Sequence, residues 1–433
     1  MRILMVSIWS LRDGGGGIIT YRKMLERGLA TRGHQVELLW HENNQPLVRH
    51  SNGREFADAQ IARYVEPRIA HIDERVRWAE RRRYIFEIAS TQFDLGSYDV
   101  IHTQDAIASR AIARVRPPGV AHVTTLHGDL VKELEIGMGA GFDDLKRNYF
   151  AREEYLGATS PHRTIVPSDA LRRQMGALSG VPPQGIRVMP YGMDLDILNT
   201  QSLMGDPPPA PAGRVVLLCP ARLSHVKGHA DLLQAVHLLV RQGRDVELWL
   251  AGEGGLEGKL REQANQLGIS DRVRFLGHRA DVPALVRRCD IVVLASTQEV
   301  LSFALIEAQA LGKPVVATRA LGIPEAVEDG ATGLLCAPAQ PDDLARTLLR
   351  VVDDPGLRAR LGENGATRAR ARFAVGRMVD EVLETYREAM ELAKTQGERP
   401  VFPAFSPETW DARKPQGYVI PDPAFWPLAK AVT

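Results

Sequence analysis

Glu299 and Glu307 stand eight positions apart in Thr297-Gln298-Glu299-Val300-Leu301-Ser302-Phe303-Ala304-Leu305-Ile306-Glu307. Ionised carboxylates only accept hydrogen bonds, so a spaced pair suits a molecule that carries diols at two ends. The apolar run Asp290 to Ser296 just before them reads as a buried parallel strand, and Ser302 to Ala310 as a helix. Backbone N–H groups near Ser302 and Phe303 then face outward at a helix N-terminus, where an anion is held. One carboxylate on either side of a bound diphosphate fits a nucleotide sugar. The ordinary alternative is a pair of glutamates that are solvated or complement the helix dipole, and the pair alone does not decide between the two.

Other loops weigh on that choice. Arg222-Leu223-Ser224-His225-Val226-Lys227-Gly228 follows the apolar run Val215–Cys219, so Arg222 and Lys227 flank a strand-to-helix turn and both can reach one diphosphate. Alone they would be surface charges; at the sheet edge that carries Glu299 and Glu307 they favour an anion site. In the first half, Asp13-Gly14-Gly15-Gly16-Gly17 brings backbone close to a ligand, yet it fails the dinucleotide fingerprint because Ile19 stands where a third small residue is required. His127, in Thr125-Leu126-His127-Gly128-Asp129 at the end of a strand, is placed to reach a sugar or phosphate. No HExxH or CxxC pattern occurs, and Asp194-Leu195-Asp196 reads as a turn, so no metal ligands are expected.

These loops need a scaffold, and the chain spells one out. Ile3–Ser7, Val36–Leu39, Val100–Thr103, His122–Leu126, Thr164–Val166 and Arg187–Pro190 read as strands, with helices such as Ile18–Arg32 and Ala106–Arg114. The alternation restarts with strands at Val215–Cys219, Val246–Ala251, Val273–Leu276, Ile291–Ala295 and Val315–Ala317, and helices at His229–Arg241, Leu256–Leu267, Val282–Arg288 and Ser302–Leu311. Such alternation predicts an α/β fold of two Rossmann-like, doubly wound domains with parallel sheets. Residues 206–213 form a proline-rich linker between a first domain (1–205) and a second (214–372) that carries the expected nucleotide-sugar residues; 373–433 hold a further helix and an aromatic, proline-rich tail. Ligands of such sheets bind at the carboxyl ends of the strands, which places the expected site in a central cleft.

Composition narrows the classes. Among 433 residues, 54 Lys+Arg against 53 Asp+Glu give a net charge of +1, so no global field favours nucleic acid. Cys219, Cys289 and Cys336 suggest neither a disulfide framework nor a zinc knuckle. The opening Met1 to Ser7 reads as a strand rather than a signal segment, and no run of about 18 apolar residues occurs. The expected location is cytoplasmic, soluble or peripheral at the inner membrane face.

Taken together, Arg222 and Lys227-Gly228, Val273-Arg274-Phe275-Leu276-Gly277, Glu299 with Glu307, and Pro314-Val315-Val316-Ala317-Thr318 through Gly322-Ile323-Pro324-Glu325 to Gly333-Leu334 resemble the donor-binding half of the retaining GT-B glycosyltransferases of family four. The Gly14–Gly17 loop and Tyr191-Gly192-Met193-Asp194 match its first half, so the resemblance covers roughly residues 1–392. It implies transfer from a nucleoside diphosphate sugar, UDP by family frequency, to a hydroxyl of a saccharide, lipid-linked or small-molecule acceptor, with retention and without a metal. By the same resemblance Glu307 holds the donor ribose, Arg222 and Lys227 the diphosphate, and Glu299 the hydroxyls of the transferred sugar. Backbone over Ser302, Phe303, Ala304 and Leu305 touches phosphate or sugar, Leu276 and Gly277 lie beside the base, His127 sits at the reaction centre, and Gly14, Gly15, Gly16 and Gly17 close on phosphate and acceptor. Two departures stand out. Val300-Leu301-Ser302-Phe303 replaces the usual glycine-containing stretch, and Gly128 follows His127 where an acidic residue is common.

Two segments lie outside this account. Residues 56–88 carry Arg75, Arg77, Arg81, Arg82 and Arg83 beside apolar residues at helical spacing. That suits either a solvated helix or weak peripheral membrane contact, and interspersed Glu66, Asp73, Glu74 and Glu80 favour the solvated helix. The tail after Gly397 is expected to wrap a domain surface. A nucleotide-sugar epimerase, a sugar phosphorylase or an inactive nucleotide-sugar-binding protein would share this architecture, and product analysis separates them.

Overall fold

The computed structural model describes residues 1–8, 16–40, 58–59, 61–66, 73–90 and 93–395. The chain forms two compact units, one of Met1–Pro167, Leu171–Met189 and the chain from Val379, the other of Ser168–Ala170 and Pro190–Met378.

In the first unit β1 (Arg2–Ser7), β2 (Gln35–Trp40), β3 (Val100–Thr103), β4 (Ala121–Thr125), β5 (Arg163–Val166) and β6 (Ile186–Val188) form one sheet in the order β2-β1-β3-β4-β5-β6. All its pairings are parallel. Strands β3 and β4 are buried along their whole length, and β1 from Ile3 on, because helices cover both faces of a parallel sheet, whereas β2 at the edge alternates in exposure. The strand order reverses between β1 and β3, the position at which doubly wound sheets open a crevice. Helices α1 (Gly17–Ala30), α2 (Glu74–Ser90), α3 (Ala106–Val115), α4 (Leu130–Met138), α5 (Asp144–Thr159) and α6 (Asp169–Ser179) complete the layers. Asp105 caps α3 through the Ala108 N–H at 2.7 Å, and its other oxygen accepts from Ser7 Oγ at 2.9 Å and Ile8 N at 2.8 Å. One short side chain thus ties the ends of β1 and β3 to a helix start.

Helix α2 overturns the expectation of a solvated helix. Eleven of its residues, among them Glu80, Arg83 and Glu87, are buried. Arg83 pairs with Glu80 at 2.5 Å and with Glu87, Arg114 of α3 reaches Glu87 at 2.8 Å, Arg110 pairs with Glu153 of α5, and Tyr149 donates to Glu80 at 2.7 Å. Buried charges survive only when paired and hydrogen-bonded, and here α3 and α5 supply the partners. Residues 56–57, 60 and 67–72 of the same arginine-rich segment, and the tail from Gly397, lie outside the described residues.

The second unit holds β7 (Val215–Pro220), β8 (Val246–Ala251), β9 (Val273–Gly277), β10 (Ile291–Leu294), β11 (Val315–Thr318) and β12 (Gly333–Cys336) in the order β12-β11-β10-β7-β8-β9. Every pairing is again parallel, and the order reverses between β10 and β7. Its helices are α7 (Leu195–Ser202), α8 (His229–Arg241), α9 (Glu257–Gln266), α10 (Val282–Arg288), α11 (Phe303–Ala310), α12 (Ile323–Ala326), α13 (Pro341–Asp353) and α14 (Pro355–Arg372). Asp194 caps α7 by accepting from Ile197 N at 3.1 Å, a structural task in keeping with its reading as a turn. The last helix, α15 (Val375–Thr395), belongs to the first unit from Val379 on, where Tyr386 Oη lies 2.7 Å from His102 Nδ1 and Glu388 pairs with Arg163 at 2.9 Å. Cys219, Cys289 and Cys336 are buried free thiols. Among the described residues no helix is long and apolar enough to cross a membrane.

Candidate functional site

In the second unit Arg222, Lys227 and Glu299 follow the carboxyl ends of the central strands β7 and β10, while Leu276 and Gly277 end the edge strand β9. Lys227 closes the short turn His225–Lys227 after β7, and Glu299 sits in the loop after β10, so the two flank the point where strand order reverses. They form an ion pair, Lys227 Nζ to Glu299 Oε2, with both side chains largely sheltered from solvent. Ser296 Oγ adds a longer contact to the same carboxylate oxygen at 3.5 Å, and the Thr318 hydroxyl of β11 donates to the Ser296 carbonyl. Thr297 N donates to Val226 O at 2.8 Å, stitching the two loops together.

Two glycines make this junction possible. Gly228 adopts φ +65°, and a Cβ there would come within 2.0 Å of the Ala295 carbonyl oxygen. A Cβ on Gly322 would lie 1.7 Å from the Val300 oxygen, while Gly322 N donates to Glu299 O at 2.9 Å. Any side chain at either position would push the Lys227 or the Glu299 loop away from its neighbour.

Ser302 is the N-cap of α11, its hydroxyl accepting from Leu305 N at 3.4 Å. Among the described residues the Phe303 and Ala304 N–H groups have no backbone partner, so the first turn of α11 presents donors together with the positive end of its dipole. The Phe303 ring lies parallel to that of Tyr191, with centroids 4.6 Å apart and 3° between planes. Glu307, one turn further on, is partly buried, and among the described residues its carboxyl makes no hydrogen bond or ion pair; desolvation pushes that carboxyl up to about 7. Arg222 is exposed and its guanidinium is likewise unpartnered there. Leu276 and Gly277 end β9, next to the Glu253 loop that accepts from His278 N at 3.2 Å.

The first unit holds the other predicted residues. Gly16 is the residue before α1 and Gly17 its first, while Gly14 and Gly15 lie outside the described residues. His127 follows β4. Its Nε2 is 3.1 Å from Gln104 Oε1, and the Tyr21 ring meets it edge-on at 4.8 Å. Burial lowers the His127 pKa to about 3, so the imidazole is neutral near pH 7. Beneath it, His102 Nε2 is 2.8 Å from Thr125 Oγ1, which lies 3.3 Å from Tyr21 Oη. Sequence reasoning missed Gln104, Ser296 and Thr318; the one signal for Gln104 was its place directly after the strand Val100–Thr103. Among the described residues no cluster of three His, Cys, Asp or Glu is arranged to hold a metal ion.

Comparison with known proteins fits this geometry. Residues 206–368 match the family Glycosyl transferases group 1 and residues 15–197 match Glycosyltransferase Family 4. The chain is 34% identical to the D-inositol 3-phosphate glycosyltransferase of Saccharomonospora viridis, over 68% of this chain and 71% of that one. It is 27% identical to the MMP alpha-(1->4)-mannosyltransferase of Mycolicibacterium hassiacum over 90% of this chain and 98% of the relative. In fold it is similar to sucrose-phosphate synthase from Thermosynechococcus elongatus, with a TM-score of 0.71 at 20% identity over 90% of this chain and 99% of that one. It is also similar to Anabaena HepE solved in complex with UDP-glucose, with a TM-score of 0.63 at 23% identity over 89% and 99% of the two chains. The chain belongs to the GT-B glycosyltransferases of family 4 and is a glycosyl-transferring enzyme.

Proposed function

We propose that this enzyme moves a sugar from a nucleoside diphosphate sugar, with UDP as the leading nucleotide, to an acceptor hydroxyl with retention at the anomeric carbon and without a metal ion. The observation that carries this reading is the α11 N-terminus, whose open N–H groups come directly after the loop of the Lys227–Glu299 pair and one turn before Glu307, whose carboxyl is unpartnered among the described residues. Glu307 would accept from the ribose diol, Arg222, Lys227 and the Phe303 and Ala304 N–H groups would face the diphosphate, and Glu299 would orient hydroxyls of the transferred sugar. Leu276 and Gly277 would lie beside the base. The complexes of HepE with UDP and with UDP-glucose support the choice of nucleotide.

In the reaction the bond from the anomeric carbon to the phosphate oxygen breaks and its electron pair leaves with the nucleoside diphosphate. The acceptor oxygen bonds to the same carbon from the same face, and its proton passes to the departing phosphate oxygen. Negative charge grows on the diphosphate, and each fixed donor aimed at it is worth about 3 kcal/mol where water is excluded. His127, neutral, would serve as a hydrogen-bonding group for the reacting sugar, and the loop ending at Gly16 and Gly17 would serve the acceptor side.

A panel of UDP-, GDP- and ADP-sugars with saccharide, lipid-linked and small hydroxyl acceptors, run with and without EDTA, tests the reading, and NMR of the product reads its anomeric configuration. Transfer with retained configuration in EDTA is the expected result. An epimerised donor or a free sugar phosphate as product, or turnover restored only by Mg²⁺ or Mn²⁺, would replace it.

A further inference from the structure

We infer that Gln104 is a positioning residue that holds His127 as the neutral tautomer protonated on Nε2, with Nδ1 left as the hydrogen-bond acceptor; this rests on the glycosyl-transfer reading above. Gln104 directly follows β3, at the reversal of strand order in the first unit, and its backbone N–H donates to Val6 O at 2.8 Å. The side chain is only 1% exposed, so its amide must find partners within the protein. Its oxygen lies 3.1 Å from His127 Nε2, and its nitrogen is 3.5 Å from the His102 carbonyl oxygen. Turning the amide over would set the Gln104 oxygen against that carbonyl oxygen, two acceptors facing each other with no proton between them. The orientation that remains offers His127 an acceptor, which selects the Nε2–H form. The edge-on ring of Tyr21, itself tied to Thr125, fixes the plane of the imidazole. A histidine so held carries its one ring proton at a fixed nitrogen, whereas an imidazolium would donate from both.

The test uses full-length protein with 15N-labelled histidine, and long-range 15N–13C correlations assign the tautomer of His127 against a His127→Asn control. Wild type should show the Nε2–H form. Gln104→Met, similar in size but without the acceptor, should convert His127 to a mixture of both tautomers and lower kcat about ten-fold, with the donor KM within about two-fold of wild type. Gln104→Glu keeps the acceptor, so it should retain the Nε2 proton and shift the His127 titration upward where Gln104→Met does not. UDP binding and circular dichroism confirm that each variant is folded. A single Nε2–H tautomer persisting in Gln104→Met, or unchanged kcat in that variant, overturns the inference. Absence of transfer from every donor in the panel would instead defeat the glycosyl-transfer reading, while the tautomer measurement would still decide the role of Gln104.

Discussion

Lys227 and Glu299 meet as an ion pair although they leave two different strands, β7 and β10, because the strand order reverses between those strands. Lys227 carries three N–H donors, so pairing with Glu299 leaves donors for a phosphate. Glu299→Gln would release the whole cation toward the diphosphate while removing a charged acceptor for the sugar. Affinity for free UDP should stay equal or tighten by up to about ten-fold, and transfer should fall about ten-fold or more. Calorimetric titration of UDP together with a transfer assay checks both arms. Weaker UDP binding would mean that Glu299 touches the nucleotide, and full activity would mean that it is a solvated bystander.

Glu307 should give nucleotide binding a pH dependence. Its folded pKa, about 7, stands above the ordinary carboxylate value, so the protein is favoured by its protonated form. That contribution to stability is complete at pH values below the unfolded pKa and is lost as pH rises through about 7. A ribose diol donating to the carboxylate favours the ionised form, so UDP should bind more tightly as pH rises through 7 and should release a proton when it binds below that pH. Titrations in buffers of different ionisation enthalpy measure the released proton directly. Glu307→Gln should abolish both the proton release and the pH dependence and weaken UDP by roughly 1.5–3 kcal/mol. Proton uptake on binding in the wild type would contradict the assignment.

The contacts of Gly322 and Gly228 are backbone to backbone, and neither partner can swing aside. Gly322→Ala, with its Cβ 1.7 Å from the Val300 oxygen, should cost about 1–3 kcal/mol in urea denaturation and displace the Glu299 loop. UDP affinity should fall with it. Gly268→Ala is the contrasting control, since φ +67° strains it but nothing lies within 4 Å of the added carbon; it should lose stability without losing UDP affinity.

Much of the fold was legible where a segment announced its own limits. Val246–Ala251 and His229–Arg241 match their expected bounds, the strand an apolar run broken only by Glu247 and ended by Gly252, and the helix an amphipathic stretch between Gly228 and Gln242-Gly243. Strand β12, four residues opening on Gly333, escaped because its identity comes from pairing with β11 and not from its own pattern. The types of Lys227, Glu299 and Glu307 were legible as chemistry, and so was their sheet edge. Gln104 was not, because its task is set by β3 lying beside β4, a fact of tertiary pairing. The arginines of α2 misled for the same reason. Glu80, Arg83 and Glu87 at helical spacing look like a solvated face until Arg110, Arg114 and Glu153 arrive from other helices.

That buried network yields the last expectation. Arg83 is fully buried between Glu80 and Glu87, so Arg83→Met removes the cation the two carboxylates share and leaves Glu80 with Tyr149 and Arg110, and Glu87 with Arg114, away from water. Breaking a buried pair on one side costs about 3–5 kcal/mol, whereas replacing all of its members with apolar groups is often close to neutral. Arg83→Met should therefore be strongly destabilised in urea denaturation followed by circular dichroism, and Glu80→Gln/Arg83→Met/Glu87→Gln should recover part of the loss by discharging both carboxylates. Recovery should be incomplete, because Tyr149, Arg110 and Arg114 keep their demands on those oxygens. Where the variant is still folded, UDP affinity should match wild type, since the residues assigned to the nucleotide stand in the second unit. A loss below about 1 kcal/mol in Arg83→Met would mean that water reaches the network, and a triple variant no better than the single one would mean that packing, not charge, sets the cost.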